Sequence, residues 1–215
     1  MAVIILFGSI SLWQSAGFWP VENFWLNITR LAIILFTGFI AWTTYRSHLL
    51  LKDFQPDFNL LLSVPETIVR ILLIGVCLFL AWLSGLPAVE LGLTVDNVWR
   101  SVALGFGVGI IVQLGVNLTT LQFIKRFGRD LYSPWLIRNI MPHKNYEWLL
   151  IALAFIPPIV MEELLFRSLW LGTFQTIIPL PLLIIGTSIV FGFMHQPQGK
   201  LGMIMAGSIN IIFSV

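Results

Sequence analysis

Long apolar runs separated by short polar stretches dominate this chain of 215 residues. Only 10% of its residues are charged, against about 25% in soluble domains, and 58% are hydrophobic. A soluble protein of this size could not cover its surface with so few polar groups. The composition therefore predicts an integral membrane protein, and a formal net charge of +2 gives no reason to expect nucleic acid as a partner.

The lengths of the apolar runs predict the number of membrane spans. A helix needs about 20 apolar residues to cross a hydrocarbon core about 30 Å thick. This rule predicts an all-α, polytopic bundle of transmembrane helices with six to seven spans. The spans fall near residues 3–19, 25–44, 67–87, 102–123, 148–175 and 182–197, with a seventh apolar run from Leu201 to Val215.

Basic residues are concentrated in alternate connections, which predicts the orientation of the chain. The connections 45–66 and 124–147 carry most of the Lys and Arg residues between spans, so we expect both on the cytoplasmic side. His48 and His143 fall in these connections, and we expect them to be solvated surface residues.

Two adjacent acids and an arginine interrupt the fifth apolar run, in the stretch PPIVMEELLFRSLW. A charge near the bilayer centre costs at least about 2.5–3.5 kcal/mol, so these groups need compensation. Glu163 and Arg167 are spaced i, i+4 on one helix face, where they can pair. Glu162 is rotated by about 100° from Glu163 and lacks a partner on its own helix. An unpaired, desolvated carboxylate suits a general base or acid, although a structural hydrogen bond to another helix would also account for it.

His195 lies one span later, in the stretch SIVFGFMHQPQGK. A lone histidine on an apolar helix is more often structural than functional. Its predicted depth matches that of Glu162, however, and antiparallel spans joined by a short loop normally pack together. A glutamate and a histidine that converge on one water molecule could activate it for hydrolysis.

Two short motifs in this region resemble those of a known family. EELLFR has the form EExxxR, and FGFMH has the form FxxxH, with Glu162 and His195 33 positions apart. In this order and on successive spans, the motifs resemble the CPBP intramembrane protease family. That family includes the CAAX prenyl endopeptidases and the bacteriocin-processing or self-immunity proteins of the Abi group. The resemblance covers about residues 155–200.

The resemblance implies an intramembrane endopeptidase and a role for each motif residue. Glu162 would be the general base for the attacking water, and Glu163 would hold Arg167. His195 would share the water, or would ligate a metal together with Glu162 in a metalloprotease mechanism. Phe191 would pack one turn before His195. The expected partners are the lipid bilayer and a membrane-associated peptide or prenylated (CAAX-type) protein, and the expected location is the plasma membrane of a prokaryote.

One departure from the family pattern limits this interpretation. The family carries a further His, followed four residues later by Asn or Asp, on a later span. No His follows His195 here, and the residue four positions before Asn210 is Ala206. The chain also stops within an apolar run, INIIFSV. We therefore divide it into N-terminal spans and cytoplasmic loops, 1–147, and a catalytic core that we expect to be truncated, 148–215.

Two further questions stay open at this point. A catalytic zinc normally takes three protein ligands, and the sequence has no HExxH motif, so no cofactor is expected and zinc remains the alternative. The alternative function is a non-catalytic membrane scaffold or a bacteriocin self-immunity protein that keeps the fold without cutting its ligand.

Overall fold

The regular elements of the protein are helices throughout the part that its computed structural model describes. That part comprises residues 21–54, 56–128 and 133–214. The predicted all-α class is confirmed there. The first predicted span, residues 3–19, lies outside the described residues.

Three long helices make up the first half of the chain. They are α1 (Val21–Asp53), α2 (Val64–Leu83) and α3 (Val98–Phe127). The first turn of α2 contains Pro65, which is tolerated there because the first N–H groups of a helix have no intrahelical partner. At the start of α3, the Asn97 side chain accepts a hydrogen bond of 3.0 Å from the backbone N–H of Arg100, as a helix cap does.

Helix α1 extends beyond the limit that hydropathy predicts. The helix continues for about two and a half turns after its expected membrane exit at residue 44 and ends at Asp53, so the first part of the predicted connection 45–66 is helical. His48 consequently lies on a helix and is half-buried, whereas we expected a solvated loop residue. The physical reason is that hydropathy marks the edge of the lipid, while helical hydrogen bonding continues as long as no breaker intervenes.

The fifth predicted span is a helical run with a change of winding. A short helix, α4 (Pro134–Ile140), precedes it. The run then comprises α5 (Glu147–Ala154), α6 (Ile156–Glu162), the π-helix Glu163–Leu171 and α7 (Gly172–Phe174). The break between α5 and α6 lies just before two prolines, which cannot donate backbone hydrogen bonds to the preceding turn. A nine-residue π-helix is unusual, and shorter π segments are frequent at functional sites.

The last two helices form a bent pair. They are α8 (Leu180–Met194) and α9 (Gly199–Ser214), joined through the 3₁₀ turn Gln196–Gln198, with an angle of 58° at the break. Four described helical runs are long and apolar enough to cross a membrane, or five if this bent pair is one span. The expectation of six to seven spans is therefore not confirmed.

Small residues allow α8 and α9 to approach each other closely. A Cβ atom added at Gly192 would lie 2.7 Å from the carbonyl oxygen of Met203, and one added at Gly207 would lie 3.0 Å from that of Ser188. Near this contact, Asn210 donates a hydrogen bond of 3.0 Å to the Ser188 hydroxyl. Glycine at such contacts is typical of helix packing in membranes.

The core lies where the π-helix meets α1, α2 and α8. Its most deeply buried apolar side chains include Ile33, Cys77, Leu165, Phe166 and Leu169. Helix α3 contributes little, because none of its apolar window is buried inside the protein. The chain therefore places the π-helix, which follows directly after Glu162, at the centre of the bundle.

Candidate active site

Glu162 is the last residue of α6 and is half-buried. The charges of Glu163, Arg167 and Arg70 act on its carboxylate. Within the described part of the chain, the Glu162 carboxylate forms no hydrogen bond and no ion pair. This arrangement matches the unpartnered carboxylate that the helical spacing predicts.

Glu163 and Arg167 form the ion pair that their spacing predicts. The Nη1 group of Arg167 donates to Oε1 of Glu163, and its Nε group donates to the backbone carbonyl oxygen of Phe213 at 3.1 Å. The guanidinium carbon also lies 5.6 Å from the centre of the Phe213 ring, within the range of a cation–π contact. Arg167 thus connects the π-helix to α9 through its Nη1 and Nε donors, neither of which is bonded to Glu162.

His195 follows directly after α8, and the backbone fixes one of its ring nitrogens. Its Nδ1 atom lies 2.7 Å from the carbonyl oxygen of Phe191, an acceptor, so Nδ1 must carry the proton. In the neutral imidazole this leaves Nε2 as an acceptor. The Phe191 ring lies 4.5 Å from the imidazole and meets Phe166 edge-on at 5.0 Å, which holds the histidine against the core. Phe191 therefore packs where the motif predicts.

A single cavity brings the two candidate catalytic side chains together. It has a volume of about 250 Å³, and its lining includes both Glu162 and His195. Phe191 also lines it, whereas Glu163 and Arg167 do not. The remaining lining residues are Ile40, Thr44, Leu136, Met161, Phe166, Met194, Pro197 and Gln198. The structure thus places a carboxylate and an imidazole acceptor around a space large enough for water and part of a substrate.

Three polar residues near this cavity were not predicted from the sequence. Arg70 on α2 lies close enough to Glu162 for its charge to act on the carboxylate, and its Nη1 atom is buried without a hydrogen-bond partner among the described residues. An arginine within an apolar span was the signal that could have identified it. Thr44 and Gln198 line the cavity, and no local pattern distinguishes them from other polar residues.

Few side chains at the site could coordinate a metal ion. Across residues 21–54, 56–128 and 133–214, no group of three or more His, Cys, Asp or Glu side chains is arranged to hold a metal ion. Glu162 and His195 together supply two ligands of the three that a catalytic zinc usually takes.

The fold and the site together define a multi-pass helical membrane protein in which a glutamate and a histidine face one cavity. Residues 144–215 match the family described as type II CAAX prenyl endopeptidase Rce1-like. This match contains both motifs and confirms the predicted resemblance to the CPBP family over that part of the chain. It points to CAAX-type endopeptidase activity in general and gives no support to the Abi group or to a metalloprotease mechanism. No curated protein and no solved structure matches the chain.

Proposed function

We propose that the protein is an intramembrane endopeptidase that hydrolyses a peptide bond in a prenylated, CAAX-type tail, in the plasma membrane of a prokaryote. The observation that carries the proposal is that Glu162 and His195 line the same cavity. Both residues lie within the part of the chain that matches the CAAX endopeptidase family.

The proposed reaction begins with a water molecule held between the two side chains. The Glu162 carboxylate takes one proton as the water oxygen attacks the carbonyl carbon of the scissile bond. Nε2 of His195 accepts a hydrogen bond from the other proton, because Nδ1–H is already directed at the Phe191 carbonyl. When the tetrahedral intermediate collapses, the C–N bond breaks and Glu162 gives its proton to the leaving amine. The carboxylate is then ionised again.

The negative charge that develops on the carbonyl oxygen needs donors. Of the described residues that line the cavity, Thr44 and Gln198 offer the other polar side chains capable of donating a hydrogen bond. We assign them this role, in which one well-placed donor is worth about 2.7–4 kcal/mol of transition-state stabilisation. Glu163 and Arg167 then act by holding the π-helix against α9, outside the reacting atoms.

The test is cleavage of a farnesylated CAAX peptide by the full chain in liposomes, with the released tripeptide identified by mass spectrometry. Replacement of a general base lowers the rate by about 100-fold to 10,000-fold, and we expect a loss of this size for Glu162→Gln. The control is Glu90→Gln, which removes the same charge from an exposed turn.

Three outcomes separate the hypotheses. Loss in Glu162→Gln with normal cleavage in Glu90→Gln supports the mechanism. Equal cleavage by Glu162→Gln and the wild-type chain refutes the role of Glu162. A wild-type chain that binds the peptide without cutting it would instead establish the non-catalytic scaffold.

A further inference from the structure

A second cavity of about 330 Å³ lies beside the candidate active site, and we call it the side pocket. Its polar side chains come from helix α1, from the residue before α4 and from the turn after His195. The described residues that line it are His48, Leu51, Lys52, Ser133, Trp135, Gln196, Pro197 and Gly199.

The side pocket continues the active-site cavity along the same three walls. On α1, Thr44 lines the active-site cavity, and His48, one turn further, lines the side pocket. Around α4, Leu136 faces the first cavity and Trp135 the second. Pro197 lines both cavities. The two cavities therefore lie next to each other, lined by the same elements α1 and α4 and by Pro197.

A backbone hydrogen bond joins two of these walls. The N–H group of Ser133 donates to the carbonyl oxygen of Gln198 at 3.1 Å, which fixes the segment before α4 against the 3₁₀ turn. The side pocket is thus formed by elements that contact each other directly.

The chemistry of the side pocket suits an anion. Lys52 supplies a positive charge, and His48, Ser133 and Gln196 supply further groups that can donate hydrogen bonds. Among the described residues that line it, none is acidic. A carboxylate can accept several hydrogen bonds at once, and bonds to a charged partner are about twice as strong as those between neutral groups.

The separation of the two cavities matches the length of a CAAX tail. Thr44 and Lys52 are eight residues apart on one helix, a distance of about 12 Å along its axis. Cleavage after the cysteine of a C-a-a-X tail leaves three residues beyond the scissile bond. Three extended residues span about 10–11 Å, so their terminal carboxylate would arrive near Lys52.

We propose that the side pocket binds the free C-terminal carboxylate of the substrate, with Lys52 as its counter-charge. The proposal rests on the proposed endopeptidase function and names the residues that bind the end of its substrate. The pocket lies at the end of α1 that the basic connections place on the cytoplasmic side.

The experiment compares two farnesylated peptides that differ only in a free or an amidated C-terminus. The full chain is placed in phosphatidylcholine liposomes, so that anionic headgroups do not occupy the pocket. We expect the wild-type chain to cleave the free acid about tenfold more efficiently, in kcat/KM, than the amide. In Lys52→Gln this ratio should fall towards one. A free-acid tail with one extra residue should be cleaved more slowly than the natural length.

The matched control is Arg46→Gln, which removes a positive charge from an exposed position on the same helix, outside the pocket lining. The ratio of acid to amide cleavage should remain at its wild-type value there. Equal cleavage of acid and amide by the wild-type chain, or an unchanged ratio in Lys52→Gln, would overturn the proposal.

A binding measurement separates this proposal from the proposed function. The Glu162→Gln variant is titrated with both peptides, labelled for fluorescence anisotropy. Tighter binding of the acid, lost when Lys52→Gln is added, supports the side pocket whether or not the chain cleaves. Equal binding of both peptides overturns it, even if the wild-type chain is an active endopeptidase.

Discussion

The contact between α8 and α9 gives the sharpest prediction of stability, because one added methyl group tests it. In Gly192→Ala, the new Cβ atom would lie 2.7 Å from the carbonyl oxygen of Met203, whereas ordinary contact begins at 3.4 Å. The two backbones must therefore separate by up to 3.4 − 2.7 = 0.7 Å locally. Overpacking of this kind typically costs about 1–3 kcal/mol.

A glycine on the same helix provides the control. Nothing lies within 4 Å of a Cβ atom added at Gly186, so Gly186→Ala should gain only the helix propensity of alanine, up to about 1 kcal/mol. For a chain of this size, 1 kcal/mol corresponds to about 2–4 °C in melting temperature. We therefore expect Gly192→Ala to melt about 4–8 °C below the wild-type protein in detergent, for a cost near 2 kcal/mol, and Gly186→Ala to melt at or slightly above it.

The same substitution should also disturb the candidate active site. The backbone N–H of His195 donates to the carbonyl oxygen of Gly192 at 3.0 Å, so a shift of this turn moves the imidazole. Cleavage by Gly192→Ala should fall well below that of Gly186→Ala at a temperature where both variants are folded. A Gly192→Ala variant that melts as high as Gly186→Ala would refute the close contact on which the reasoning depends.

Two further predictions concern arginines that connect helices. Arg167→Lys keeps the charge, but an ammonium group cannot bond to both Glu163 and the Phe213 carbonyl as the planar guanidinium does. We expect the free energy of unfolding to fall by about 1–2 kcal/mol, which would be measured as a lower melting temperature. A melting curve identical to that of the wild-type protein would contradict the bridging role. Arg30→Met removes the donor that reaches the Thr173 carbonyl at 2.8 Å. We expect it to lower the melting temperature by about 2–12 °C, because a buried acceptor left without a partner costs about 1–3 kcal/mol. Unchanged stability in Arg30→Met would show that this carbonyl finds another donor.

The sequence predicts the candidate site better than it predicts the limits of the helices. The i, i+4 spacing predicts the ion pair between Glu163 and Arg167, and the pair forms although this segment is a π-helix. Convergence of Glu162 and His195 follows from their depth on successive elements, and the shared cavity agrees with it. Their catalytic roles, and the boundary between residues 1–147 and 148–215, stay predictions.

Hydropathy does not predict other features of the fold. The apolar residues of α8 and α9 suggest two independent spans, yet the two helices form a bent pair whose contact depends on glycine positions. The extension of α1 to Asp53 is hidden because charged residues beyond Tyr45 lower the hydropathy without ending the helix. The proximity of Arg70 to Glu162 has no local sequence pattern, because the two residues are 92 positions apart on different helices.

The two adjacent acids show how one helix turn can give neighbouring residues of the same type opposite tasks. Arg167 forms an ion pair with Glu163 and donates a second hydrogen bond to the carbonyl oxygen of Phe213. The guanidinium is therefore directed towards α9. Glu162 faces the cavity and keeps its lone pairs available, because its own helix offers no donor to its carboxylate. A cation paired directly with Glu162 would stabilise the ionised form and weaken it as a base. In the proposed mechanism Glu163 therefore acts without contacting the reacting atoms, because its carboxylate takes the direct ion pair with Arg167 and leaves Glu162 unpaired.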